Sequence, residues 1–195
     1  GFRSGKELKY INEENRDLTP DELNAEWAHD KLLELAEKQN QKPFFLSVGF
    51  LRPHTPLIVP QKYFDMYPLD SIKLVNILPR DKDDTFLHLV DQFETKKRRT
   101  RSVEMFENLI ASYENPLEGL KRFTQAYLAC VSAVDDNVGK VINAINNSSL
   151  KDNTIIILTS DHGWTMGQKD HIYKNSLWEE STRVPLIIRV PSISA

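Results

Sequence analysis

The sequence TIIILTSDHG, residues 154–163, joins an apolar, β-branched run to a polar turn that contains glycine. The run at 154–159 is rich in isoleucine and threonine, which favours a β-strand, and its lack of alternation predicts burial on both faces. In open α/β sheets, ligands bind just beyond the carboxyl ends of the strands. Asp161 and His162 lie at that place, so the stretch predicts both an α/β sheet and a site at its edge.

The segments around this strand follow the pattern of an α/β layered sheet. Two more apolar runs, at 44–50 and 185–190, predict buried strands. Long helices are predicted over about 20–39, where Thr19 is the N-cap, and over about 120–145, where apolar residues recur at helical spacing. Helices that alternate with doubly buried strands favour the α/β class.

Residues 70–118 show no clear pattern and are expected to form an insertion. The basic run at 96–101, KKRRTR, suits an anionic polymer. Acidic Asp91 and Glu94 stand just before it, which favours a solvated loop instead.

Composition excludes several classes of protein. A length of 195 residues fits one domain or a large part of one. The net charge of -3 and pI of about 6.0 exclude the strongly basic surface of a nucleic-acid-binding protein. The one cysteine, Cys130, allows no intrachain disulfide and is expected to be an inert core residue of the second helix. No apolar stretch approaches the roughly 20 residues of a membrane span, and no signal peptide opens the sequence.

The triplet Asp161-His162-Gly163 is the first candidate site. A carboxylate beside an imidazole, before a glycine that allows a sharp turn, can present oxygen and nitrogen ligands to one cation. Alternatively, Asp161 caps the turn and His162 is a satisfied buried histidine. Taken alone, the triplet favours this second interpretation.

The segment after the 44–50 run is the second candidate site. Arg52 directly precedes Pro53, and His54 lies between Pro53 and Pro56. These flanking prolines reduce the entropy lost in keeping the two side chains aimed. A cation and an imidazole at a strand end suit an anionic substrate. An ordinary proline-rich loop with a surface histidine explains the same pattern.

Three more groups, Lys169, His171 and Lys174, follow within fourteen residues of the triplet. Each lysine alone is expected to be solvated, although a compact ammonium suits an oxyanion. Together with a carboxylate–imidazole pair at one sheet edge, these groups indicate metal-assisted handling of a phosphate- or sulfate-like group.

The sequence resembles the sulfatases, and most of all the iduronate-2-sulfatase and choline-sulfatase-like branch of the alkaline phosphatase superfamily. The resemblance begins near Asp21, covers most of the chain and rests on several linked motifs. It implies an alkaline phosphatase-like, three-layer α/β/α sandwich with a mostly parallel sheet, here incomplete. The motifs are KPFFLSVGF at 42–50, PHTP at 53–56, the segment 127–139 ending in VDDNVG, TSDHGWTMG at 159–167, Lys174, and LWEESTRVPL at 177–186.

This resemblance implies roles for individual residues. Asp161 and His162 match the pair that helps to bind a divalent metal, usually Ca²⁺. Lys174 matches the lysine that contacts the sulfate, and His54 matches the histidine that contacts the sulfate and assists the leaving oxygen. Two further residues are expected at most to contact the substrate: Arg52 and His171.

One departure from the family pattern is important. Sulfatases use a cysteine or serine in a Cys/Ser-x-Pro/Ala-x-Arg motif, oxidised to formylglycine, together with a pair of aspartates near the N-terminus. Cys130 lies in ACVSA, which is not that motif. Residues 1–195 are therefore expected to be a C-terminal portion of the catalytic domain, without the nucleophile region and the smaller C-terminal subdomain. We expect this chain to hydrolyse nothing without the remainder of the domain.

For the whole protein, the resemblance implies a sulfuric ester hydrolase that acts on a sulfated sugar or small alcohol. It implies a periplasmic, secreted or lysosomal location. Two alternatives remain at this point. One is a phosphodiesterase or phosphonate hydrolase of the same superfamily, which often uses two transition metals. The other is a non-catalytic relative that binds anions or glycans.

Overall fold

A computed structural model describes residues 8–38, 42–85, 101–191 and 193. The chain divides into two compact units. The first unit comprises Gly1–Pro68, Ala126–Ile155 and Arg189–Ala195, and the second comprises Leu69–Gln125 and Ile156–Ile188.

The structure confirms both long helices that the sequence predicts. Helix α1 begins behind a capping box, in which the Thr19 hydroxyl accepts from the Glu22 amide and the Glu22 carboxylate accepts from the Thr19 amide. Residue 39, the predicted helix end, lies outside the described residues. Among the described helices, none combines the length and apolar character that a membrane span requires. The α-helices are α1 Pro20–Glu37, α2 Gln61–Asp65, α3 Arg101–Ala111, α4 Pro116–Asn146 and α5 Glu179–Thr182, with 3-10 helices at Leu69–Ser71, Asp81–Asp84 and Gln168–Asp170.

The described strands form two small sheets. Strand β1, Ile156–Thr159, pairs with β4, Leu186–Arg189. Strand β2, Thr165–Met166, pairs antiparallel with β3, Ile172–Tyr173. The prediction of a strand at 44–50 is wrong, because these residues form no strand and the four strands described above pair only with each other. A strand forms only where a neighbour completes its ladder of hydrogen bonds.

The prediction that β1 and β4 are buried on both faces is also wrong for the described residues. Ile157 is 61% exposed, and Leu186 and Ile187 are 65% and 62% exposed. Apolar strands need cover on both faces, and a pair of two short strands provides little of it. The α/β class is confirmed, whereas the three-layer sandwich with a mostly parallel sheet stays a prediction.

Helices α2 and α4 form a core in the first unit. Tyr63 packs with Ala129 and Ala133, and its hydroxyl donates to the Asp136 carboxylate at 2.8 Å. Burial raises the pKa of the Cys130 thiol to about 11. Cys130 is fully buried, which confirms the prediction of a core residue.

The core of the second unit supports the hairpin formed by β2 and β3. Phe106 from α3 and Leu120 from α4 pack with the buried Ile172 of β3. Part of the predicted insertion at 70–118 therefore belongs to this core, whereas 86–100, with the basic residues 96–100, lies outside the described residues. Partly buried residues around the cluster are Leu74, Ile77, Leu109, Ile110 and Phe123.

Candidate metal and anion site

The turn after β1 is held against α5 by the backbone of Gly163. The Gly163 amide donates to the Ser181 carbonyl at 2.8 Å. A Cβ at this position would lie 2.1 Å from the Glu180 carbonyl oxygen and 3.0 Å from that of Arg183, so only glycine fits. This close approach fixes the backbone next to Asp161 and His162.

Asp161, His162 and Lys174 meet in the second unit. The Lys174 Nζ donates to His162 Nε2 at 2.7 Å. The Asp161 Oδ2 lies 3.6 Å from the same nitrogen. His162 Nδ1 lies 2.8 Å from the Gly163 carbonyl, which can only accept. The ring hydrogen is therefore assigned to Nδ1, and Nε2 is the acceptor for the ammonium.

The β2–β3 hairpin returns the chain to this turn and places Lys174 there. Lys174 directly follows β3, where the Thr165 hydroxyl donates to the Tyr173 carbonyl at 2.6 Å. Trp164 packs edge-on against Tyr173, with ring centroids 4.9 Å apart. The Lys174 Nζ lies 5.6 Å from the centre of the Tyr173 ring, within the range of a cation–π contact.

The side chains of Asp161 and His162 fit part of a metal site. Two ligand atoms that each lie about 2.4 Å from one cation, with a right angle at the cation, are about 3.4 Å apart. The distance between Asp161 Oδ2 and His162 Nε2 is 3.6 Å, which is close to that value. The Asp161 side chain is 85% exposed, so its oxygens are accessible to an ion. The described residues contain no group of three or more His, Cys, Asp or Glu suited to one metal. Metal binding by Asp161 and His162 stays a prediction.

The second predicted site, Arg52 with His54, lies in the first unit. The buried Arg52 guanidinium donates through Nε to the Ile58 carbonyl and through a terminal nitrogen to the His54 carbonyl, both at 3.1 Å. His54 Nδ1 lies 2.7 Å from the Thr55 carbonyl, which assigns the ring hydrogen to Nδ1. Arg52 thus fixes the loop that carries His54. Substrate contact by either residue stays a prediction.

Asp21 anchors the same loop, and the sequence did not indicate this role. Its carboxylate is buried and accepts from the amides of Leu51 and Arg52 at 2.7 and 2.9 Å. An aspartate in the first turn of a helix indicates only a favourable interaction with the helix dipole, whereas the partners of Asp21 lie about thirty residues away.

Replacing Asp21 with alanine is expected to lower the free energy of unfolding by about 2–4 kcal/mol, because two amides of a partly buried loop lose their acceptor. Asp21→Asn keeps one acceptor oxygen and is expected to lose less. Urea denaturation measures both. Asp30→Ala, on an 81% exposed side chain of the same helix, is the control and should stay within about 0.5 kcal/mol of wild type. Equal losses for Asp21→Ala and Asp30→Ala would contradict the anchoring role.

Lys169 is held by acidic residues of its own unit. Its ammonium lies 2.8 Å from Asp81 Oδ1 and 2.9 Å from Asp84 Oδ1. The hydrogen bond from Lys169 lowers the pKa of the Asp81 carboxyl. A second ion pair, Lys82 with Asp170 at 2.9 Å, joins the same two 3-10 helices. Lys169 therefore fastens a turn of the second unit.

His171 is an interior residue of the second unit. It is 2% exposed, its Nδ1 lies 2.6 Å from the Lys169 carbonyl, and its ring packs edge-on against Trp178. Among the described residues, His171 forms no hydrogen bond with Asp161, His162 or Lys174. Substrate contact by His171 stays a prediction, and the contacts seen are those of a packing residue.

The residues at this site have the composition expected for binding a metal together with an anion. The model of the sulfatase family matches residues 3–195. The chain belongs to the sulfatase family. This sulfatase chain is 41% identical to a sulfatase of Formosa agariphila over 92% of its own length and 33% of the relative's. It is 33% identical to human iduronate 2-sulfatase over 90% of its length and 31% of that protein's. The chain thus spans about a third of the length of these relatives.

A solved structure resembles the fold of this sulfatase chain. The phosphonate monoester hydrolase of Agrobacterium radiobacter is 26% identical and has a TM-score of 0.66, covering 96% of this chain and 37% of its own. The comparisons support an alkaline phosphatase-like fold, of which this chain forms one part.

The buried imidazole of His171 makes the stability of this sulfatase chain depend on pH. Burial lowers its pKa below the ordinary value of 6.5, and Lys82 acts in the same direction, whereas the Lys169 carbonyl and Asp170 oppose it. The unfolded chain therefore takes up this proton at a higher pH than the folded chain. The contribution of His171 to stability is complete above about pH 6.5 and is lost as the pH falls through the lowered pKa.

We expect His171→Gln to reduce the fall in unfolding free energy between pH 7.5 and 5.5. Urea denaturation at three pH values in this range measures how the free energy of unfolding changes with pH. This range lies above the pH at which ordinary carboxyl groups titrate. A variant that keeps the full wild-type slope would show that another group is responsible.

Proposed function

We propose that this chain carries the metal-binding turn and the sulfate-contacting lysine of a sulfatase that hydrolyses sulfate esters. The supporting observation is the meeting of Asp161, His162 and Lys174, with a carboxylate oxygen and an ammonium both within 3.6 Å of one imidazole nitrogen. Asp161 and His162 would hold the cation, and the ammonium beside them suits an oxyanion.

Each residue has a separate task in the proposed reaction. Asp161 and His162 would hold the divalent cation, taken to be Ca²⁺, which would supply positive charge near the sulfate. Lys174 neutralises charge that develops on these oxygens in the transition state. His54 contacts the sulfate and, when both of its ring nitrogens carry hydrogen, donates the Nε2 proton to the leaving oxygen. The nucleophile, which the family resemblance implies is a formylglycine, comes from outside residues 1–195.

Arg52 and His171 act on this reaction through the loops that they hold. The two bonds from Arg52 to carbonyls of its own loop support an orienting role for His54. His171 packs on Trp178, at the start of the helix whose backbone contacts Gly163. Contact of Arg52 or His171 with an anionic substrate is the additional role proposed from the family.

The proposed substrate is a sulfated sugar, with the sulfate ester of a small alcohol as the alternative. Similarity to iduronate 2-sulfatase over 90% of this chain supports the sugar. Such substrates fit a periplasmic, secreted or lysosomal location, which we also propose from the family.

The full-length protein, assayed with 4-nitrocatechol sulfate and with sulfated monosaccharides, tests this function. We expect turnover that EDTA abolishes and Ca²⁺ restores, and none from residues 1–195 alone. Hydrolysis by residues 1–195 alone would contradict the division of the site. Absence of turnover in a full-length protein that holds Ca²⁺ would favour a non-catalytic protein that binds anions or glycans.

A second candidate function is hydrolysis of phosphonate or phosphate esters. The fold similarity to a phosphonate monoester hydrolase, at a TM-score of 0.66, favours it. A phenyl phosphonate ester in the same assay separates the two candidates. Faster cleavage of that ester than of the sulfate, with two bound zinc or manganese ions, would replace the sulfatase proposal.

A further inference from the structure

The ammonium of Lys174 contacts the turn that carries Asp161 and His162. Its Nζ is 2.7 Å from His162 Nε2, and Asp161 Oδ2 is 3.6 Å from that same nitrogen. A positive charge is thus already directed at the lone pair through which His162 would bind a metal.

The His162 ring has only one lone pair to offer. Its Nδ1 is committed to the Gly163 carbonyl as a donor, at 2.8 Å. The acceptor atom, Nε2, can give its lone pair to a hydrogen of the ammonium or to a metal ion, but not to both at once. A divalent ion bonded to Nε2 would also repel an ammonium 2.7 Å from that nitrogen.

We propose that Lys174 and the divalent cation are mutually exclusive partners of His162 Nε2. This inference rests on the proposed metal role of Asp161 and His162. Without metal, the ammonium caps the imidazole. Metal binding displaces it, and the released ammonium becomes available to the sulfate. The metal therefore has a second effect in addition to its own charge, because it frees the lysine that contacts the anion.

The surroundings of Lys174 allow this displacement. The lysine stem has four rotatable bonds, and its ammonium lies 5.6 Å from the centre of the Tyr173 ring, which gives the displaced charge a favourable neighbour. The hairpin backbone stays in place, since the Thr165 hydroxyl and the Ile172 core contacts fix it. Only side-chain rotation is required.

Chemical labelling of lysines in the full-length protein tests the proposal without measuring activity. Acetic anhydride modifies accessible amines, and peptide mass spectrometry gives the rate for each lysine. The buffer contains no sulfate or phosphate, and Ca²⁺ alone is the ligand. We expect Ca²⁺ to raise the labelling rate of Lys174 at least about fivefold, the lower end of usual coupling between sites. Lys169, which is ion-paired with Asp81 and Asp84, is the internal control and should not change.

Two variants test the metal-free contact separately. In His162→Ala the ammonium has lost its acceptor, so Lys174 should label fast without Ca²⁺. His162→Gln keeps a side-chain carbonyl that can accept from the ammonium, so Lys174 should label slowly in this variant. Equal Lys174 rates in wild type and both variants would overturn the proposal, because the contact would then not restrain the lysine.

Calorimetry of Ca²⁺ binding separates failure of this proposal from failure of the proposed function. If Ca²⁺ binds, Asp161→Asn weakens it, and Lys174 labels at an unchanged or lower rate, the displacement is wrong and the metal site stands. If Ca²⁺ binding is unaffected by Asp161→Asn and His162→Gln, the metal role of this turn fails, and the displacement fails with it.

Discussion

Replacing Lys174 with methionine is expected to lower kcat for a sulfate ester about 100- to 1,000-fold in the full-length protein, the usual loss when a group that stabilises developing oxyanion charge is removed. Methionine keeps most of the length of the unbranched stem but carries no charge. The stability of the protein should change little, since Lys174 is not a core residue. Steady-state kinetics with 4-nitrocatechol sulfate measures the loss.

Two further variants define what the Lys174 result means. Lys151→Met removes an exposed lysine of the first unit and should leave kcat within about twofold. Lys174→Arg keeps the charge but replaces a compact ammonium with a planar group, so partial activity is expected. A Lys174→Met enzyme within about threefold of wild type would exclude this lysine from stabilising the transition state.

Replacing Gly163 with alanine is expected to lower the free energy of unfolding by about 3 kcal/mol or more, at the upper end for overpacked sites. The new methyl group would lie 2.1 Å from the Glu180 carbonyl oxygen, and that oxygen belongs to the backbone of α5. A backbone atom cannot rotate away as a flexible side chain can. The turn that carries Asp161 and His162 must therefore separate from α5, so Ca²⁺ binding should weaken as well.

A second glycine in the chain gives a matched control. Gly139 lies within α4, and no atom would lie within 4 Å of a Cβ there. Gly139→Ala should therefore stabilise the protein by about 0.5–1 kcal/mol, because alanine favours the helix. Urea denaturation compares the two variants. A Gly163→Ala protein within about 1 kcal/mol of wild type would contradict the close contact between the turn and α5.

Local sequence signals predicted the helices and indicated three residues that meet after β1. The cap at Thr19 and the helical spacing of apolar residues located α1 and α4, because both signals act within one or two turns. The polar residues after β1 indicated Asp161 and His162, and the family motif indicated Lys174. The structure brings these three together through the short β2–β3 hairpin.

The features that the sequence did not predict depend on contacts between distant segments. Asp21 reads as a helix-start residue, and its partners at Leu51 and Arg52 come from a later loop. Gly163 reads as a glycine that permits a sharp turn, whereas the structure requires it because the α5 backbone approaches closely. Lys169 reads as a candidate anion ligand but pairs with acidic residues more than eighty positions away.

The strands show a related limit. An unbroken apolar run indicates what a strand requires from its neighbours, not which neighbours are present. Residues 44–50 have the composition of a buried strand and form none in the described chain. Ile157 and Leu186 lie in strands but remain more than half exposed.

The most direct test of this account is a crystal structure of the full-length protein grown with Ca²⁺ and sulfate. We expect one Ca²⁺ bound by Asp161 and His162, and one sulfate within about 3.2 Å of the Lys174 ammonium. A Ca²⁺ ion bound without Asp161 and His162, or a sulfate beyond the reach of Lys174, would contradict the account.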